Sequence, residues 1–297
     1  MRVTQNYSIQ SLLRQIQSTR NRINTLQTNL ATGKRINQIS DDPYQIESVL
    51  RYRKMLKMNG QFETNIASAI DFMSVTSQAL NDSADIVSRV KELAVQGAND
   101  LTPDQYDAHV TEINQLIREL TDLANTRFKD RYVFGGSNVK TAPYTLTSDL
   151  TAVNANPDGL SGKLKVELGE GNIDTYNVSG KSAFNGGTDV FQALIDLRDA
   201  FAAHDNAAIQ SAIPNLDAAR DQLLQVNSNL GAKINRYDLL QQQYDNKDVR
   251  LQEFLSRVQD TDVIKTVQEL QLEQTGLQTS LQVLSRTMNI SLVDFMR

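Results

Sequence analysis

The chain has 297 residues and a net charge of −5 at pH 7, so its charge gives no support to a general nucleic-acid-binding role. It contains no cysteine, which excludes disulfide bonds and thiolate metal sites. A hydrophobic content of 40%, an aromatic content of 6% and the absence of Trp favour long helices with narrow apolar stripes over a broad aromatic core.

No run of eighteen apolar residues occurs, so the sequence predicts no transmembrane helix and no membrane partner. The first residues, MRVTQNYSIQ, lack the apolar core of a secretory signal peptide. If the protein leaves the cell, we expect it to use a route that does not read such a peptide.

The first predicted element is a helix whose apolar residues recur at alternating steps of three and four. This spacing is typical of an a/d seam that packs against a partner helix. The seam consists of Ile9, Leu12, Ile16, Ile23, Leu26 and Leu30, with Thr19 as its one polar member. Gly33 is predicted to end the helix.

The turn Ser40-Asp41-Asp42-Pro43 is predicted to restart a helix at about Pro43. Proline is favoured at the first helical position, and Asp42 before it can cap the exposed amides. The two aspartates are much less suited to bind a metal, because no further carboxylate or histidine lies nearby at ligand spacing. This second helix is predicted to reach about Gln96, where Gly97 breaks it.

Further along, Thr102-Pro103 again places a capping residue before a proline, which predicts a third helix that ends at about Phe128. The period then changes to that of short strands with turns between them. RYVFGGSNVKTAPY has a Gly-Gly turn, and KLKVELG and DTYNVSG are predicted strands. Residues 138–188 are therefore predicted to form a small β-rich insert.

Helical patterns return at about Asp189, continue from 206 to 230, and resume after Gly231. The last segment has a second a/d seam with one polar member, Gln274. That seam consists of Val263, Val267, Leu270, Leu277, Leu281, Leu284 and Met288.

The two clearest seams lie at the two ends of the chain, where residues are usually frayed. Pairing of the N-terminal helix with the C-terminal helix would explain why the ends are so strongly patterned. The predicted fold is mainly α: a long antiparallel helical hairpin, or coiled-coil rod, formed by the N- and C-terminal segments, with the β-rich insert domain. Residues 1–40 carry six basic groups and no acidic one, so we expect them to face acidic residues such as Glu269 and Glu273.

These patterns predict five segments with different roles. They are an N-terminal polymer-core helix at 1–40, an N-terminal helical rod at 41–137, the outer insert at 138–188, a C-terminal helical rod at 189–259 and a C-terminal polymer-core helix at 260–297.

No constellation of catalytic residues is found. Neither G-x-S-x-G, G-x-G-x-x-G nor the P-loop pattern occurs, and the only histidines, His109 and His204, are expected on the surface. We therefore predict no catalytic, metal-binding or cofactor-binding residues and no enzymatic activity.

LATGKRINQISDDPYQIES resembles the N-terminal signature of the bacterial flagellin superfamily. The SDDP form and RYVFGGSNVKTAPY are more similar to its hook–filament junction branch, hook-associated protein 3, than to flagellin. NLGAKINRYDLL is similar to a Gly-Ala turn that opens the C-terminal half, and LVDFMR to the family's ending. The resemblance covers roughly 1–144 and 215–297.

This resemblance implies an axial structural protein that self-assembles into a ring. Its terminal helices would form the inner layer of a polymer and be disordered in the monomer. Neighbouring hook-associated protein and flagellin would be its partners. It would be exported as an unfolded chain through the flagellar type III apparatus, with a chaperone on its C-terminal region, to the extracellular flagellum.

Three alternatives remain open at this stage. The chain could be a short flagellin, the filament subunit itself. It could also be an intracellular coiled-coil signalling or scaffold module. In either case the seams could form an ordinary intramolecular helix bundle instead of a polymer interface, since bundles are the commoner use of such patterns. An enzyme is the least supported of the three.

Overall fold

The computed structural model describes residues 2–99 and 102–295, with the side chains of 7, 9–99 and 102–286. The helices are α1 (Arg2–Thr32), α2 (Ile46–Gly97), α3 (Pro103–Ala124), α4 (Gly180–Phe184), α5 (Val190–Ala202), α6 (Asn206–Gln259) and α7 (Val263–Phe295). The strands are β1 (Arg127–Phe128), β2 (Arg131–Tyr132), β3 (Tyr144–Leu146), β4 (Val153–Ala155), β5 (Lys165–Gly169) and β6 (Asn172–Thr175). The prediction of a mainly helical chain with a small β-rich insert is confirmed.

The chain divides into two compact units. Unit 1 comprises Met1–Met58 and Lys247–Arg297, and unit 2 comprises Asn59–Asn246. Helices α2 and α6 contribute residues to both units. The division into five segments stays a prediction, because these units reflect packing within one chain and not the role of a segment in an assembly.

In unit 1, α1 packs along α7 in the antiparallel direction. Arg22 of α1 forms an ion pair with Glu273 of α7. The backbones of Lys34, just after α1, and Asp260, just before α7, form an antiparallel β-bridge. Residue numbers therefore rise along one helix as they fall along the other. The predicted pairing of the N- and C-terminal helices is confirmed, and Gly33, with φ +70°, follows the last residue of α1.

Unit 2 contains one continuous hydrophobic core, which α2, α3, α5, α6 and the insert share. Within this unit α2 and α6 are antiparallel neighbours. Lys91 Nζ lies 2.6 Å from Asp217 Oδ1, and the rings of Phe62 and Tyr244 lie 5.7 Å apart. Apolar burial at about 25 cal/mol per Å² is the main stabilising contribution to such a unit.

The strands pair as three separate antiparallel hairpins, β1–β2, β3–β4 and β5–β6. An aromatic cluster packs the insert against α5. Its rings are those of Phe134, Tyr144, Phe184 and Phe191, with contacting centroids 4.9 to 5.5 Å apart. Burial raises the pKa of the Tyr144 hydroxyl, which donates a hydrogen bond to Asn185 Oδ1 at 2.9 Å.

A second anchor fixes the β5–β6 hairpin to α6. The Asp174 carboxylate of β6 forms ion pairs with Arg236 and Lys233, and the Tyr237 hydroxyl donates a hydrogen bond to its Oδ2 at 3.2 Å. Burial of Asp174 opposes ionisation, but the Thr175 amide and the two cations outweigh it and hold the pKa of this carboxyl below its ordinary value. The insert is therefore attached to the helices by both apolar and ionic contacts.

Helix α6 differs from the sequence prediction. Gly231 and Ala232 lie inside one continuous helix and form no turn. A glycine in a helix costs about 1 kcal/mol relative to alanine, but Leu230 and Tyr237 on either side are buried in the core of unit 2. Their packing outweighs the local preference of glycine.

Two boundaries near the insert were also wrong. Helix α3 ends at Ala124 and not near Phe128, because residues 127–132 form the β1–β2 hairpin. Its two central residues, Lys129 and Asp130, have φ of 46° and 62°, as a tight two-residue hairpin turn requires. The last strand spans Asn172–Thr175, and the remainder of DTYNVSG is not strand.

We predict that Gly136→Ala destabilises unit 2 by at least about 2 kcal/mol, since φ is +61° there and the new Cβ would lie 2.1 Å from the carbonyl oxygen of Gly159. Gly171→Ala is the matched control, because φ is +71° there but nothing lies within 4 Å. Its expected cost is about 1 kcal/mol. Urea unfolding followed by circular dichroism measures both, and equal costs would contradict the proposed clash.

Candidate assembly surface

The predicted seam of α1 lies on one face of that helix and is the covered one. Ile16, Thr19 and Ile23 are 5 to 8% exposed. The remaining seam positions, Ile9, Leu12, Leu26 and Leu30, are partly buried. Because α7 is the helix that packs along α1, this face is directed towards α7.

The predicted seam of α7 is divided between a covered and an uncovered stripe. Leu270, Leu277 and Leu284 are partly buried. Val263, Val267 and Leu281 are 55, 38 and 40% exposed. The side chain of Met288 lies outside the described residues.

The stripe of α7 that α1 covers contains polar residues. Thr266 is buried, and Glu273 and Ser280 are partly buried, between the three leucines at positions 270, 277 and 284. The leucines therefore belong to two adjoining stripes, one shared with Thr266, Glu273 and Ser280 and the other with Val263, Val267 and Leu281. The second stripe is the more apolar, and α1 leaves it open.

Exposed apolar side chains are concentrated in unit 1. Among the residues whose side chains the structure describes, 14 of the 18 large hydrophobic residues that are exposed belong to this unit. They are Tyr7, Leu13, Ile39, Tyr44, Leu50, Met55, Val249, Phe254, Val263, Ile264, Val267, Leu272, Leu281 and Val283. A surface so rich in large apolar residues is typical of an interaction site.

Unit 1 has few buried apolar residues of its own. Those that the structure describes are Ile16, Ile23, Ile36, Val49 and Leu251. The other residues of the buried hydrophobic core belong to unit 2. Among the described residues, unit 1 therefore has more exposed than fully buried large apolar side chains.

The turn after α1 is held by its two aspartates. Asp41 Oδ2 accepts hydrogen bonds from the amides of Asn37 and Gln38, each at 2.8 Å. Asp42 Oδ1 accepts from the amides of Tyr44 and Gln45, and the Ile46 amide donates to the Asp42 carbonyl at 3.0 Å. Residues Pro43–Gln45 form a turn, and regular helix begins at Ile46.

A backbone connection that the sequence did not predict ties this turn to the end of α6. Gln259 is 3% exposed, and its carbonyl accepts from the amides of Arg35 and Ile36 at 2.7 and 3.3 Å. Its side-chain Nε2 donates to the Ile36 carbonyl at 3.1 Å, and the Thr261 amide donates to the Gly33 carbonyl at 3.0 Å. No periodic pattern marks Gln259, and its partners lie far away in the chain, so the sequence alone gave no signal for this connection.

The expected charge complementarity is present at one of the two named glutamates. Arg22 Nε lies 3.2 Å from Glu273 Oε1, whereas Glu269 lies 4.0 Å from Lys265 of its own helix. The Arg22 side chain is 52% exposed, and such surface pairs contribute about 0.2–1 kcal/mol. Charge therefore adds little to the apolar contacts between α1 and α7.

The two histidines lie near each other's ring contacts but at different exposures, and the acidic residues do not gather around them as a metal site in the described part of the chain. No group of three or more His, Asp or Glu residues there is placed to hold a metal ion. His204 is exposed and stacks on Tyr106 at 4.5 Å, but His109 is half-buried against Phe201 at 5.3 Å. His109 therefore lies at the surface, as expected, but is partly covered because α5 packs on α3 at this point.

None of the helices in the described residues is both long enough and apolar enough to span a lipid bilayer.

Comparison with known proteins identifies two matching regions. Residues 3–139 match the bacterial flagellin N-terminal helical region, and residues 213–296 match the bacterial flagellin C-terminal helical region. The flagellar filament 30.7 kDa core protein of Treponema maltophilum is 26% identical over 265 residues, which cover 86% of this chain and 85% of that protein.

Solved structures with the same fold include two flagellar proteins. A flagellar hook-associated protein from Vibrio parahaemolyticus superposes with a TM-score of 0.67 at 18% identity, covering 74% of this chain and 100% of that one. The flagellar junction protein FlgL from Legionella pneumophila superposes with a TM-score of 0.59 at 14% identity, covering 73% and 100%.

We predict that Gln259→Ala weakens the connection between the turn and α6 by about 1–3 kcal/mol, because the Ile36 carbonyl loses its side-chain donor. Hydrogen exchange at the Arg35 and Ile36 amides is then expected to accelerate roughly tenfold or more. Gln252→Ala, at an exposed position of the same helix, is the control and is expected to leave these rates unchanged. Equal rates in both variants would contradict this role of Gln259.

Proposed function

The chain belongs to the bacterial flagellin family, and we propose that it is the structural adaptor that joins the hook region of the flagellum to the filament. The observation that carries this proposal is the open apolar stripe of α7. A helix that leaves Val263, Val267 and Leu281 in solvent is incomplete without a second helix from another subunit.

Assembly would bury these side chains between terminal helices of neighbouring subunits. Fully burying one Val or Leu side chain contributes about 1.5–3 kcal/mol. Val263, Val267 and Leu281 are 38 to 55% exposed and would gain only part of this value, so other exposed apolar residues of unit 1 would also have to be buried to offset the loss of freedom on association, which costs roughly 4–15 kcal/mol. The mechanism of the adaptor is therefore geometric, and it involves no catalytic step.

The subunits would close into a ring, with hook-associated protein on one side and flagellin on the other. A contact between different surface patches of identical subunits generates a ring when the rotation between them closes. The stripe of α7 against α1 is occupied within the chain, so the open stripe is the face that α7 would offer to the next subunit.

The same stripe bears on secretion. An unassembled subunit exposes apolar residues of α7 that would aggregate, and an export chaperone bound to this C-terminal region would cover them. The small core of unit 1 also favours passage of the chain in an unfolded form through the flagellar export apparatus. The protein would then act outside the cell, in the flagellum.

The second candidate is the filament subunit itself. It is favoured by the sequence relatives, which include the Treponema maltophilum filament core protein. The SDDP turn, the RYVFGG segment and the fold shared with hook-associated proteins favour the junction role. The two candidates differ in what becomes of flagellin when this protein is missing.

Deletion of the gene distinguishes these candidates. Electron microscopy is expected to show hooks without filaments, and a blot of the medium is expected to show shed flagellin. Hooks without filaments and no flagellin anywhere would instead identify this chain as the filament subunit. Normal flagella would contradict both candidates.

We predict that Leu281→Asp blocks incorporation into flagella without preventing synthesis, because it places a charge on the open stripe of α7. Leu281 is 40% exposed in the single chain, so the pairing of α1 with α7 is expected to survive. Gln282→Asp is the control, since it adds the same charge at the neighbouring exposed position. A blot of isolated flagella measures incorporation, and normal incorporation of Leu281→Asp would refute the assigned seam.

A further inference from the structure

The two units of the chain carry opposite net charges. Unit 1 contains 16 Lys and Arg residues and 10 Asp and Glu residues, whereas unit 2 contains 14 and 25. Their net charges at pH 7 are therefore +6 and −11, although that of the whole chain is only −5. Such a distribution favours association of copies through unlike units, because like units repel each other.

The first turns of α2 carry a concentrated group of cations. Four of them are exposed and form no ion pair with a described residue, namely Arg51, Arg53, Lys54 and Lys57. The facing part of α6 is marked by Phe254, whose ring lies 5.9 Å from that of Tyr52. We refer to residues 46–58 and 247–259 together as the basic segment.

The carboxylates of the basic segment do not neutralise it. The segment contains seven cations and three carboxylates, which leaves a net charge of +4. One of these carboxylates, that of Glu253, lies 3.7 Å from Arg257 of its own helix. The segment also exposes large apolar side chains to between 37 and 56%, namely Leu50, Met55, Val249 and Phe254. It therefore suits a partner surface that combines carboxylates with apolar groups.

One end of unit 2 has this complementary composition. There the rings of Tyr106 on α3 and Phe201 on α5 lie 6.1 Å apart, and His204, just before α6, stacks on Tyr106 at 4.5 Å. Gly97 at the end of α2 packs so closely that a Cβ there would lie 2.3 Å from the Phe201 ring. Four helix ends therefore meet at this surface, which we call the acidic end. Its exposed carboxylates are those of Asp104, Asp107 and Asp205.

Cations do not neutralise the acidic end. Asp104 and Asp107 form no ion pair with a described residue. Asp205 accepts hydrogen bonds from two amides of α6, which caps that helix but brings no cation. Arg198, the only cation of α5, is 7% exposed and lies 2.6 Å from Asp199.

The acidic end also exposes an apolar side chain. Val95, in the last turn of α2, is 50% exposed. It is one of only four large apolar residues of unit 2 that are exposed among the side chains the structure describes. The two surfaces are thus opposite in charge and alike in exposing apolar groups between their charges.

We infer that the basic segment of one subunit docks on the acidic end of a second copy of this chain. The cations of α2 lie beside the carboxylates of the acidic end, and exposed apolar side chains of the segment cover Val95. Both surfaces belong to the same chain, so identical subunits supply the whole contact. This inference rests on the proposed function, since it names a contact within the proposed ring.

The contact joins two different patches and is therefore head-to-tail. Each subunit in a row keeps one surface for the neighbour on either side, so association extends beyond a dimer. Exposed charge pairs contribute little to affinity individually. The contact therefore acts mainly on the rate and orientation of encounter, while the open stripe of α7 supplies the apolar burial.

The absence of cysteine makes crosslinking a direct test. Ser256→Cys places a thiol on the basic segment and Ala108→Cys places one on the acidic end, both at exposed positions and without removing a proposed contact group. A short bismaleimide is applied to flagella isolated from cells that carry the double variant. Ser256→Cys with Ser74→Cys, at an exposed serine in the middle of α2, is the matched control.

We expect a ladder of crosslinked subunits for the 256–108 pair and none for the 256–74 pair. Arg53→Glu with Lys57→Glu is expected to reduce the ladder roughly tenfold, because it reverses two charges of the basic segment. Adding Asp104→Lys and Asp107→Lys is expected to restore the ladder to within about twofold, because the two surfaces are then opposite in charge again.

Two further variants serve as controls. Lys163→Glu with Lys181→Glu makes the same change in net charge at exposed positions outside both surfaces, and it is expected to leave the ladder unchanged. Asp104→Asn with Asp107→Asn removes the two charges without reversing them, and it is expected to weaken the ladder on its own. Circular dichroism of each purified variant verifies folding.

Normal incorporation without a 256–108 crosslink would overturn the inference and leave the proposed function standing. So would a ladder that a folded charge-exchanged variant fails to restore, or a thiol at position 108 that crosslinks only to another flagellar protein. Failure of the proposed function has a separate signature, since deletion of the gene would then leave normal flagella.

Discussion

The width of the apolar face of α7 is the constraint on which the rest of unit 1 depends. One helix, α1, covers the leucines at 270, 277 and 284 from one side only. The stripe between the two helices includes Thr19 and Asn29 of α1 and Thr266 of α7, each under 9% exposed. Burying hydroxyl and amide groups contributes less than burying methyl groups. The pairing within one chain is thus weaker than the helix could support, and its better stripe remains for a neighbour.

The register of this pairing is set by polar contacts at its base. The bonds of Gln259 with Arg35 and Ile36, together with the Thr261–Gly33 bond, fix the start of α7 against the end of α1. The aspartates of the following turn satisfy four amides, among them that of Tyr44, and the Tyr44 side chain itself is 93% exposed.

Sequence periodicity predicted the helices, the terminal pairing and the covered face of α1, since apolar spacing alone determines these. It placed the α7 seam on the most apolar stripe, whereas the chain covers an adjoining stripe that contains Thr266 and Glu273. Periodicity carries no information on the register that Gln259 sets. The continuity of α6 through Gly231 depends on tertiary packing in the core of unit 2, so it could not be predicted from the local pattern.

The unequal division of apolar burial separates two kinds of stability. Unit 2 has an extensive core and folds around it, so changes to that core act on the single chain. Unit 1 exposes 14 large apolar side chains, and in the proposed assembly their burial would contribute free energy only when a second subunit covers them. The proposed assembly would therefore make the stability of unit 1 depend on subunit concentration and partner identity, whereas the core of unit 2 is complete within one chain.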